Sequence, residues 1–222
     1  MMKKTNFSVQ NILRANIRTI QSYTSARDEF SDTTRDMVFL DANENPFENG
    51  VNRYPDPQQQ RVKQQLSKLK EIPSQQILLG NGSDEVLDLI MRAFCEPAKD
   101  NVIILPPTYG MYKVLANIND IEVKEVLLTR EFEPKTQTIL LASNEHSKML
   151  FLCSPNNPTG NTFSRVQVEK LLNQFEGIVV IDEAYIDFSE DESWLNRLSE
   201  FPNLIITQTL SKAYGMAGIR LG

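Results

Sequence analysis

The 222-residue chain is 41% hydrophobic and 23% charged and has a net charge of −6, a composition typical of globular proteins. It has no basic stripe, which argues against nucleic acid as a partner, and no apolar run near the roughly 20 residues that span a bilayer. The two lysines near the N-terminus precede no apolar segment, so we expect no signal peptide. Cys95 and Cys153 are expected to be reduced core residues of a cytoplasmic protein, and a single histidine, His146, argues against a zinc site and against a histidine-based catalytic triad, so we expect no metal.

The first 76 residues predict helices joined by irregular segments. A helix that is capped by Ser8 is expected to extend to Ile20, because its apolar residues fall on one face. A short strand is expected at residues 37–41. Asp56 and the proline after it are expected to open a helix that ends at Glu71.

From residue 77 onward, strands alternate with helices. The expected strands are residues 77–79, 102–105, 123–128, 150–153, 178–181 and 204–207, and the expected helices are 83–95, 111–118, 165–175 and 193–198. Short, continuous apolar strands are typical of a mainly parallel sheet covered by helices on both faces, so the predicted fold class is α/β. Ligands of such sheets bind at the carboxyl ends of the strands, where the unusual loops of this chain occur.

The segment 209–222 contains one lysine, Lys212, among small and hydroxylic residues. In a dry, crowded turn this lysine would be poorly solvated, which favours the uncharged amine that forms Schiff bases with aldehydes. Arg220 and the hydroxyls of Thr209 and Ser211 suit a phosphate. An aldehyde and a phosphate together indicate pyridoxal 5'-phosphate (PLP); the alternative is a surface lysine beside a glycine-rich turn.

Two loops nearer the N-terminus suit other parts of such a ligand. Gly82, Ser83 and Asp84 open a helix, where their N–H groups would bind an anion; the alternative is an ordinary capped helix start. Tyr109 follows the next strand, and its ring would either stack on a flat ligand or only pack against the protein.

Two later loops supply polar groups. Asn157 lies in a rigid loop rich in proline, where it would donate to a phenolic oxygen or simply form a turn. Asp182 ends an apolar strand, which is costly for a carboxylate unless a positive group such as a protonated pyridine nitrogen lies beside it. Tyr185 would reach the hydroxyl of the same ring. The alternative for Asp182 is a role as a helix cap.

In this order, the five motifs resemble those of fold-type-I PLP-dependent aminotransferases. Within that fold, residues 22–27, 40–46, 52–55, 92–97 and 106–112 resemble the histidinol-phosphate aminotransferases of histidine biosynthesis. The resemblance implies transamination of L-histidinol phosphate with 2-oxoglutarate, which gives imidazole-acetol phosphate and L-glutamate.

The resemblance also implies a role for each matched residue. Lys212 would bind PLP and move the substrate proton, Asp182 would pair with the ring nitrogen, and Tyr109 would stack on the ring. Asn157 and Tyr185 would bind the ring hydroxyl. The residues expected to hold the phosphate are Gly82, Ser83, Asp84, Ser211 and Arg220.

Further implications concern assembly and extent. Tyr54 would reach the cofactor phosphate of the neighbouring subunit in a homodimer with shared active sites, and Tyr23 and Asn157 would contact the substrate. Residues 1–45 would contribute to a small domain and the dimer contact, and residues 46–222 would form an incomplete PLP-binding large domain. Family members continue past Gly222 into a C-terminal small domain with substrate-binding arginines, so we expect a truncated or partial chain.

Three alternatives remain open at this point. One is another fold-type-I enzyme, such as an aromatic aminotransferase or a phospho-amino-acid decarboxylase. Another is a catalytically dead PLP-binding remnant. A DNA-binding regulator with an aminotransferase-like domain is disfavoured, because too few residues precede Leu40 for a helix-turn-helix module.

Overall fold

A computed structural model describes residues 7–24 and 38–222 of the chain. Two compact units are distinguished by their internal contacts. One comprises Met1–Arg18 and Leu78–Gly222, and the other is Thr19–Ile77. The domain division expected at residues 45 and 46 stays a prediction.

The N-terminal helix is interrupted. Helices α1 (Val9–Ile12) and α2 (Ala15–Thr19) replace the single helix that was expected to reach residue 20, so that prediction is wrong. The break falls at Arg14, whose backbone N–H donates to the carbonyl of Ala93 at 3.1 Å and whose guanidinium pairs with Glu96 at 3.3 Å. These bonds compete with continuation of the helix.

The unit Thr19–Ile77 contains helix α3 (Gln60–Lys70) and a 3-10 turn at Ser74–Gln76. Helix α3 begins later than expected, because the carboxylate of Asp56 accepts N–H groups of the preceding turn and of Gln60, each at 2.8 Å. The strand expected at residues 37–41 is absent from residues 38–41, where no neighbouring strand pairs with the described backbone, and residue 37 lies outside the described residues.

The larger unit is an alternation of helices and strands around one sheet. Its elements are α4 (Ser83–Phe94), β1 (Asn101–Ile104), α5 (Met111–Ile118), β2 (Glu122–Glu125), α6 (Thr136–Ala142), β3 (Ser147–Cys153), α7 (Arg165–Gln174), β4 (Ile178–Asp182), β5 (Leu204–Thr207) and 3-10 turns at Ile186–Phe188, Trp194–Glu200 and Ala217–Ile219. The five strands are parallel in the order β2-β1-β3-β4-β5. The predicted α/β fold with a mainly parallel sheet is confirmed.

Successive residues of the central strands point to opposite faces of the sheet, as the period of two requires. On β4, Val179 and Ile181 pack with side chains of α6 and α7, whereas Ile178 and Val180 pack with those of α4 and α5. Each fully buried aliphatic side chain of this kind contributes about 1.5–3 kcal/mol. The layers on the two faces explain why β3 and β4 are apolar at nearly every position, and they confirm the prediction of helices on both faces.

Four local predictions differ from the structure. Residues 77–79 form no strand, because antiparallel pairing there is limited to Gly80 and an isolated bridge between Asn81 and Leu221. Strand β2 ends at Glu125 rather than residue 128, since Pro106 accepts the N–H of Leu128 at 2.9 Å but has no N–H to donate in return. Helix α6 was not predicted; it is short and has neither a capping side chain nor an acidic first turn. The helix expected at residues 193–198 is the 3-10 segment Trp194–Glu200.

Cys95 and Cys153 are buried and unpaired, as predicted. Across residues 7–24 and 38–222, none of the helices combines the length and the apolar character that a membrane crossing requires.

Candidate active site

The candidate site lies at the carboxyl edge of the sheet. Asp182 at the end of β4 is in register with Cys153 of β3 on one side and with Thr207 of β5 on the other. The loops that follow these strands therefore leave the sheet side by side. They carry Asn157, Tyr185 and Lys212, so the topology brings these three predicted residues to one edge.

Asp182 is the buried anchor of this edge. The residue is only 2% exposed. Its Oδ2 accepts a hydrogen bond from the Tyr112 hydroxyl at 2.6 Å, and its Oδ1 accepts one from the N–H of Ala184 at 3.1 Å. The Thr207 hydroxyl lies beside the carboxylate and helps to lower its pKa, but it forms no hydrogen bond of standard geometry.

Burial raises the pKa of Asp182 above its ordinary value, and the hydrogen bonds from Tyr112 and Ala184 oppose that rise. The ionised carboxylate is therefore costly in the free protein. A cationic group bound beside it would offset that cost, which makes this position suited to a positively charged ligand atom.

Tyr185 and Lys212 form the more open part of the site. The Tyr185 hydroxyl accepts a long hydrogen bond from the Asn157 amide nitrogen at 3.4 Å. The Nζ of Lys212 lies 5.6 Å from the centre of the Tyr185 ring, within the range of a cation–π contact. The three residues that were expected to surround the ring hydroxyl and the aldehyde of the ligand are thus neighbours.

The prediction that Lys212 occupies a dry, crowded turn is wrong, because the residue is exposed. Its neighbours Ala213, Gly215, Ala217 and Gly218 carry too little side chain to cover it. Small residues let a ligand approach the backbone, but they do not remove a lysine from water by themselves.

Tyr109 connects the loop after β1 with the start of α4. Its hydroxyl donates to Asp84 Oδ1 at 3.2 Å, and its ring meets that of Tyr112 edge to face with centroids 5.6 Å apart. Burial, with a further contribution from Asp84, raises the pKa of Tyr109 to about 12, so the phenol keeps its proton at neutral pH. Tyr109 therefore links the helix terminus to the buried carboxylate through Tyr112.

Gly82 and Arg220 form a cradle at the first turn of α4. Gly82 has a φ of +83°, and a Cβ added there would lie 2.5 Å from Arg220 Nη2. The backbones of Gly80 and Gly222 exchange hydrogen bonds of 2.9 and 3.3 Å, which holds the segment beside the helix. The first N–H groups of a helix lack intrahelical acceptors, so with the guanidinium they make an anion-binding surface.

Ser211 lies on the same segment, but its contact with a phosphate stays a prediction. Its N–H donates to the hydroxyl of Thr209 at 3.2 Å, and that hydroxyl donates to the carbonyl of Leu221 at 3.4 Å. Thr209 therefore ties the two ends of the lysine-containing loop together.

Two predicted residues belong to the unit Thr19–Ile77. Tyr23 is 91% exposed and Tyr54 is 71% exposed. Their expected contacts, with the substrate and with the cofactor of a neighbouring subunit, stay predictions. Residues 25–27 of the 22–27 stretch lie outside the described residues.

Sequence reasoning missed three buried residues that position the site. Tyr112 donates to Asp182, Asn156 donates from its side chain to the carbonyl of Pro107 at 2.9 Å, and Glu183 accepts hydrogen bonds from Ser193 and Gln208 at 2.6 and 2.8 Å. Each joins segments that are ten or more residues apart in the sequence. Only Tyr112 had a local signal, since it lies three residues after Tyr109.

The described residues contain no group of three or more histidine, cysteine, aspartate or glutamate side chains placed to hold a metal ion. The polar groups of the site are instead a carboxylate, an amine, a guanidinium, phenols and an amide.

Known proteins are similar to this chain in sequence and in architecture. The chain is 66% identical over 217 residues to a histidinol-phosphate aminotransferase of Flavobacterium johnsoniae, a match that covers 97% of this chain and 62% of that protein. It is 64% identical over 217 residues to a histidinol-phosphate aminotransferase of Flavobacterium psychrophilum, covering 98% and 63%. The chain thus spans somewhat less than two thirds of the length of these relatives.

The solved structure of histidinol-phosphate aminotransferase from Sinorhizobium meliloti in complex with pyridoxal-5'-phosphate has the same fold. It is 24% identical, with a TM-score of 0.68 over 76% of this chain and 47% of that chain. The sequence pattern of aminotransferase class I and II matches residues 15–222. Because this match spans most of its length, the chain belongs to the aminotransferase class I and II family.

Proposed function

We propose that the protein containing these residues transfers the amino group of L-histidinol phosphate to 2-oxoglutarate, giving imidazole-acetol phosphate and L-glutamate. The observation that carries this proposal is the convergence of Asp182, Asn157, Tyr185 and Lys212 at one edge of the sheet. The identity of 66% to a relative named histidinol-phosphate aminotransferase favours this reaction over the aromatic aminotransferase and decarboxylase alternatives.

The residues fit pyridoxal 5'-phosphate at three separate points. The cradle of Gly82 and Arg220 suits a phosphate, because it places a guanidinium beside the first N–H groups of α4. The guanidinium lies so close to Gly82 that a Cβ on that residue would collide with it. The buried carboxylate of Asp182 suits a protonated ring nitrogen. The hydroxyl of Thr207, buried and without a hydrogen-bond partner, lies at the same edge and can serve a polar ligand.

When bound, pyridoxal 5'-phosphate supplies an aldehyde that captures amines and an electron-withdrawing ring that stabilises negative charge. Asp182 would hold the ring nitrogen in its charged form, which strengthens that withdrawal. Asn157 and Tyr185 would orient the ring by hydrogen bonds to its hydroxyl, and Tyr109 would cover one face. Arg220 and the start of α4 would anchor the phosphate through charge-assisted bonds.

Lys212 carries the chemistry of this chain. Its Nζ would hold the aldehyde, and as a free amine it would take the proton from the substrate's Cα and return it. The loop carries small side chains, which leave the amine space to move between these tasks. The two substrates would react in turn, in ping-pong half-reactions.

Assembly and compartment extend the proposal. We place Tyr54 against the cofactor of a second subunit in a homodimer and Tyr23 in the substrate pocket, on the strength of the resemblance of their flanking stretches. Residues 46–222 would belong to the large, PLP-binding domain, and residues 1–45 to the small domain and dimer contact. Two buried, unpaired cysteines fit a reducing compartment, and we propose the cytoplasm.

The decisive experiment uses the protein expressed from its complete reading frame and purified with PLP. Glutamate formation is measured with L-histidinol phosphate and 2-oxoglutarate, with phenylalanine and phosphothreonine as alternative amino substrates. We expect the highest kcat/KM with L-histidinol phosphate. A protein that binds PLP but releases carbon dioxide from phosphothreonine, or that prefers phenylalanine, would contradict the proposal.

A further inference from the structure

Tyr112 stands apart from the other tyrosines of the site because it is completely buried and yet points its hydroxyl at the functional carboxylate. It lies on α5, is 0% exposed and donates to Asp182 Oδ2 at 2.6 Å. Its ring stacks on Phe151 with centroids 4.9 Å apart and an interplanar angle of 17°. The hydroxyl is therefore a buried donor aimed at the carboxylate.

The bond has the character of a charge-assisted hydrogen bond. An O–H donor to a carboxylate at 2.5–2.7 Å is about twice as strong as a neutral bond. Burial, and then the charge of Asp182, raises the pKa of Tyr112 well above its ordinary value. The phenol therefore keeps its proton at neutral pH and remains a donor.

The other groups around Asp182 do not replace this donor. Cys153 is a thiol whose pKa burial raises to about 11, and Asp84 is a negative group that raises the pKa of Asp182. Thr207 makes no bond of standard geometry to it. Among the described residues, Tyr112 is thus the one side chain that donates to Asp182 with normal geometry.

We propose that Tyr112 is a positioning residue, which holds the Asp182 carboxylate in the orientation and the ionised form that a protonated ring nitrogen requires. This inference rests on the proposed function. With Oδ2 held by the phenol and Oδ1 by the N–H of Ala184, the plane of the carboxylate is set before any ligand binds. Such preorganisation is worth most where charge develops during the reaction.

The test compares Tyr112→Phe with Phe151→Leu in the PLP-loaded protein from the complete reading frame. Tyr112→Phe removes only the hydroxyl, whereas Phe151→Leu loosens the same packing and keeps the hydroxyl. We measure the pH midpoint of the bound-cofactor absorbance, kcat, KM and Tm. Tyr112→Phe should lower kcat about tenfold with KM nearly unchanged, as expected for the loss of one charge-assisted bond.

The spectral titration separates positioning from structure. In Tyr112→Phe the midpoint should rise by about one pH unit. The Asp182 carboxylate, held less firmly, would retain less positive charge on the ring nitrogen. The nitrogen that joins Lys212 to the cofactor would then keep its proton to a higher pH. Phe151→Leu should lower Tm but leave the midpoint and kcat within about twofold of the wild type. An unchanged midpoint and kcat in Tyr112→Phe, with a lower Tm, would overturn the proposal.

Two further measurements cover the remaining outcomes. In an Asp182→Asn background, Tyr112→Phe should cause no additional loss of kcat, and an additive loss would show that Tyr112 does not act through Asp182. If Tyr112→Phe does not fold, 3,5-difluorotyrosine placed at position 112 supplies a stronger donor of similar shape, and it should lower the midpoint. An unchanged midpoint would again refute the proposal.

A wild-type protein without cofactor absorbance would refute the proposed function and this inference together. That outcome differs from failure of the inference alone, in which the wild type binds the cofactor but Tyr112→Phe has no effect on the midpoint and kcat.

Discussion

Asp182 and Lys212 lie at the same edge of the sheet but are held there by different means. Asp182 ends a strand with neighbours on both sides, is 2% exposed, and has hydrogen-bond donors on both carboxylate oxygens. Lys212 is exposed in a loop that is closed mainly by backbone bonds, such as that from Leu210 N–H to the carbonyl of Leu221 at 3.1 Å.

This difference separates stability from chemistry. The contacts that orient Asp182 are also contacts of the core, so a change there affects folding and catalysis together. Lys212 makes few contacts that the fold depends on, so its removal should leave the folded protein intact. Each prediction below tests that separation.

The largest effect is expected for Lys212→Ala. In the protein from the complete reading frame, kcat should fall by about 10⁴-fold or more, at the upper end of the contribution of one proton-transferring group. Tm should change little, since substitutions of exposed residues are usually within about 0.5 kcal/mol. Glutamate formation and thermal unfolding measure the two quantities.

Lys99→Ala is the matched control for Lys212→Ala, since it removes another exposed lysine, one that was not predicted to belong to the site. It should leave both kcat and Tm at wild-type values. Borohydride reduction followed by peptide mapping should place the pyridoxyl group on Lys212. A label on another lysine would show that the loop does not carry the reactive amine.

Asp182→Asn should lower kcat by about 10²–10³-fold while the absorbance of bound cofactor persists. The amide keeps the shape of the side chain but does not hold a positive charge on the ring nitrogen, and this loss is felt mainly in the transition state. Stopped-flow measurement of a single half-reaction isolates the chemical step. Nearly normal kcat would mean that Asp182 is only a structural residue.

The same substitution should change the pH dependence of stability in the cofactor-free protein. The folded pKa of Asp182 is raised above its ordinary value of 3.8, so its stabilising contribution is complete below that pH and is lost as pH rises through the folded pKa. The wild type should therefore lose stability relative to Asp182→Asn as pH increases, by at most about 1.4 kcal/mol per pH unit. Urea unfolding of both proteins across this range measures the difference, and a constant difference would contradict the raised pKa.

Gly82→Ala should weaken cofactor binding about tenfold by displacing the Arg220 guanidinium, since one charge-assisted bond is worth about 1.5–3 kcal/mol. The positive φ adds a cost of about 1 kcal/mol to folding. Gly218→Ala is the control, because a Cβ there meets no atom within 4 Å. Fluorescence titration with PLP should show a wild-type dissociation constant for the control, and equal weakening in both variants would argue against the cradle.

The buried part of this molecule could be predicted from the sequence more completely than the exposed part. All five strands were predicted from apolar runs, and the prediction is best founded for β1, β3 and β4, because burial on both faces demands apolar residues at most positions. The solvation of Lys212 was predicted wrongly, because small neighbours indicate close approach of the backbone but not what covers a side chain. The contact between Tyr112 and Asp182 was not predicted, since a hydrogen bond between residues 70 positions apart depends on the packing of α5 over β4.

The smallest effect is expected for Ser211→Ala, and its comparison with Thr209→Val tests whether one loop contains both structural and chemical residues. Ser211 is half-buried, and loss of its hydroxyl should weaken PLP binding by about three- to tenfold, the value of one neutral hydrogen bond. Tm should not change.

Thr209 is 7% exposed and bonds both to the N–H of Ser211 and to the carbonyl of Leu221, so Thr209→Val should lower stability by about 1 kcal/mol. Cofactor affinity should also fall, because the two ends of the loop are no longer held together. Thermal unfolding and PLP titration of both variants give the four values needed. If Ser211→Ala lowers Tm as much as Thr209→Val does, the loop is held by the hydroxyls of both residues, and the separation between a structural Thr209 and a ligand-binding Ser211 is wrong.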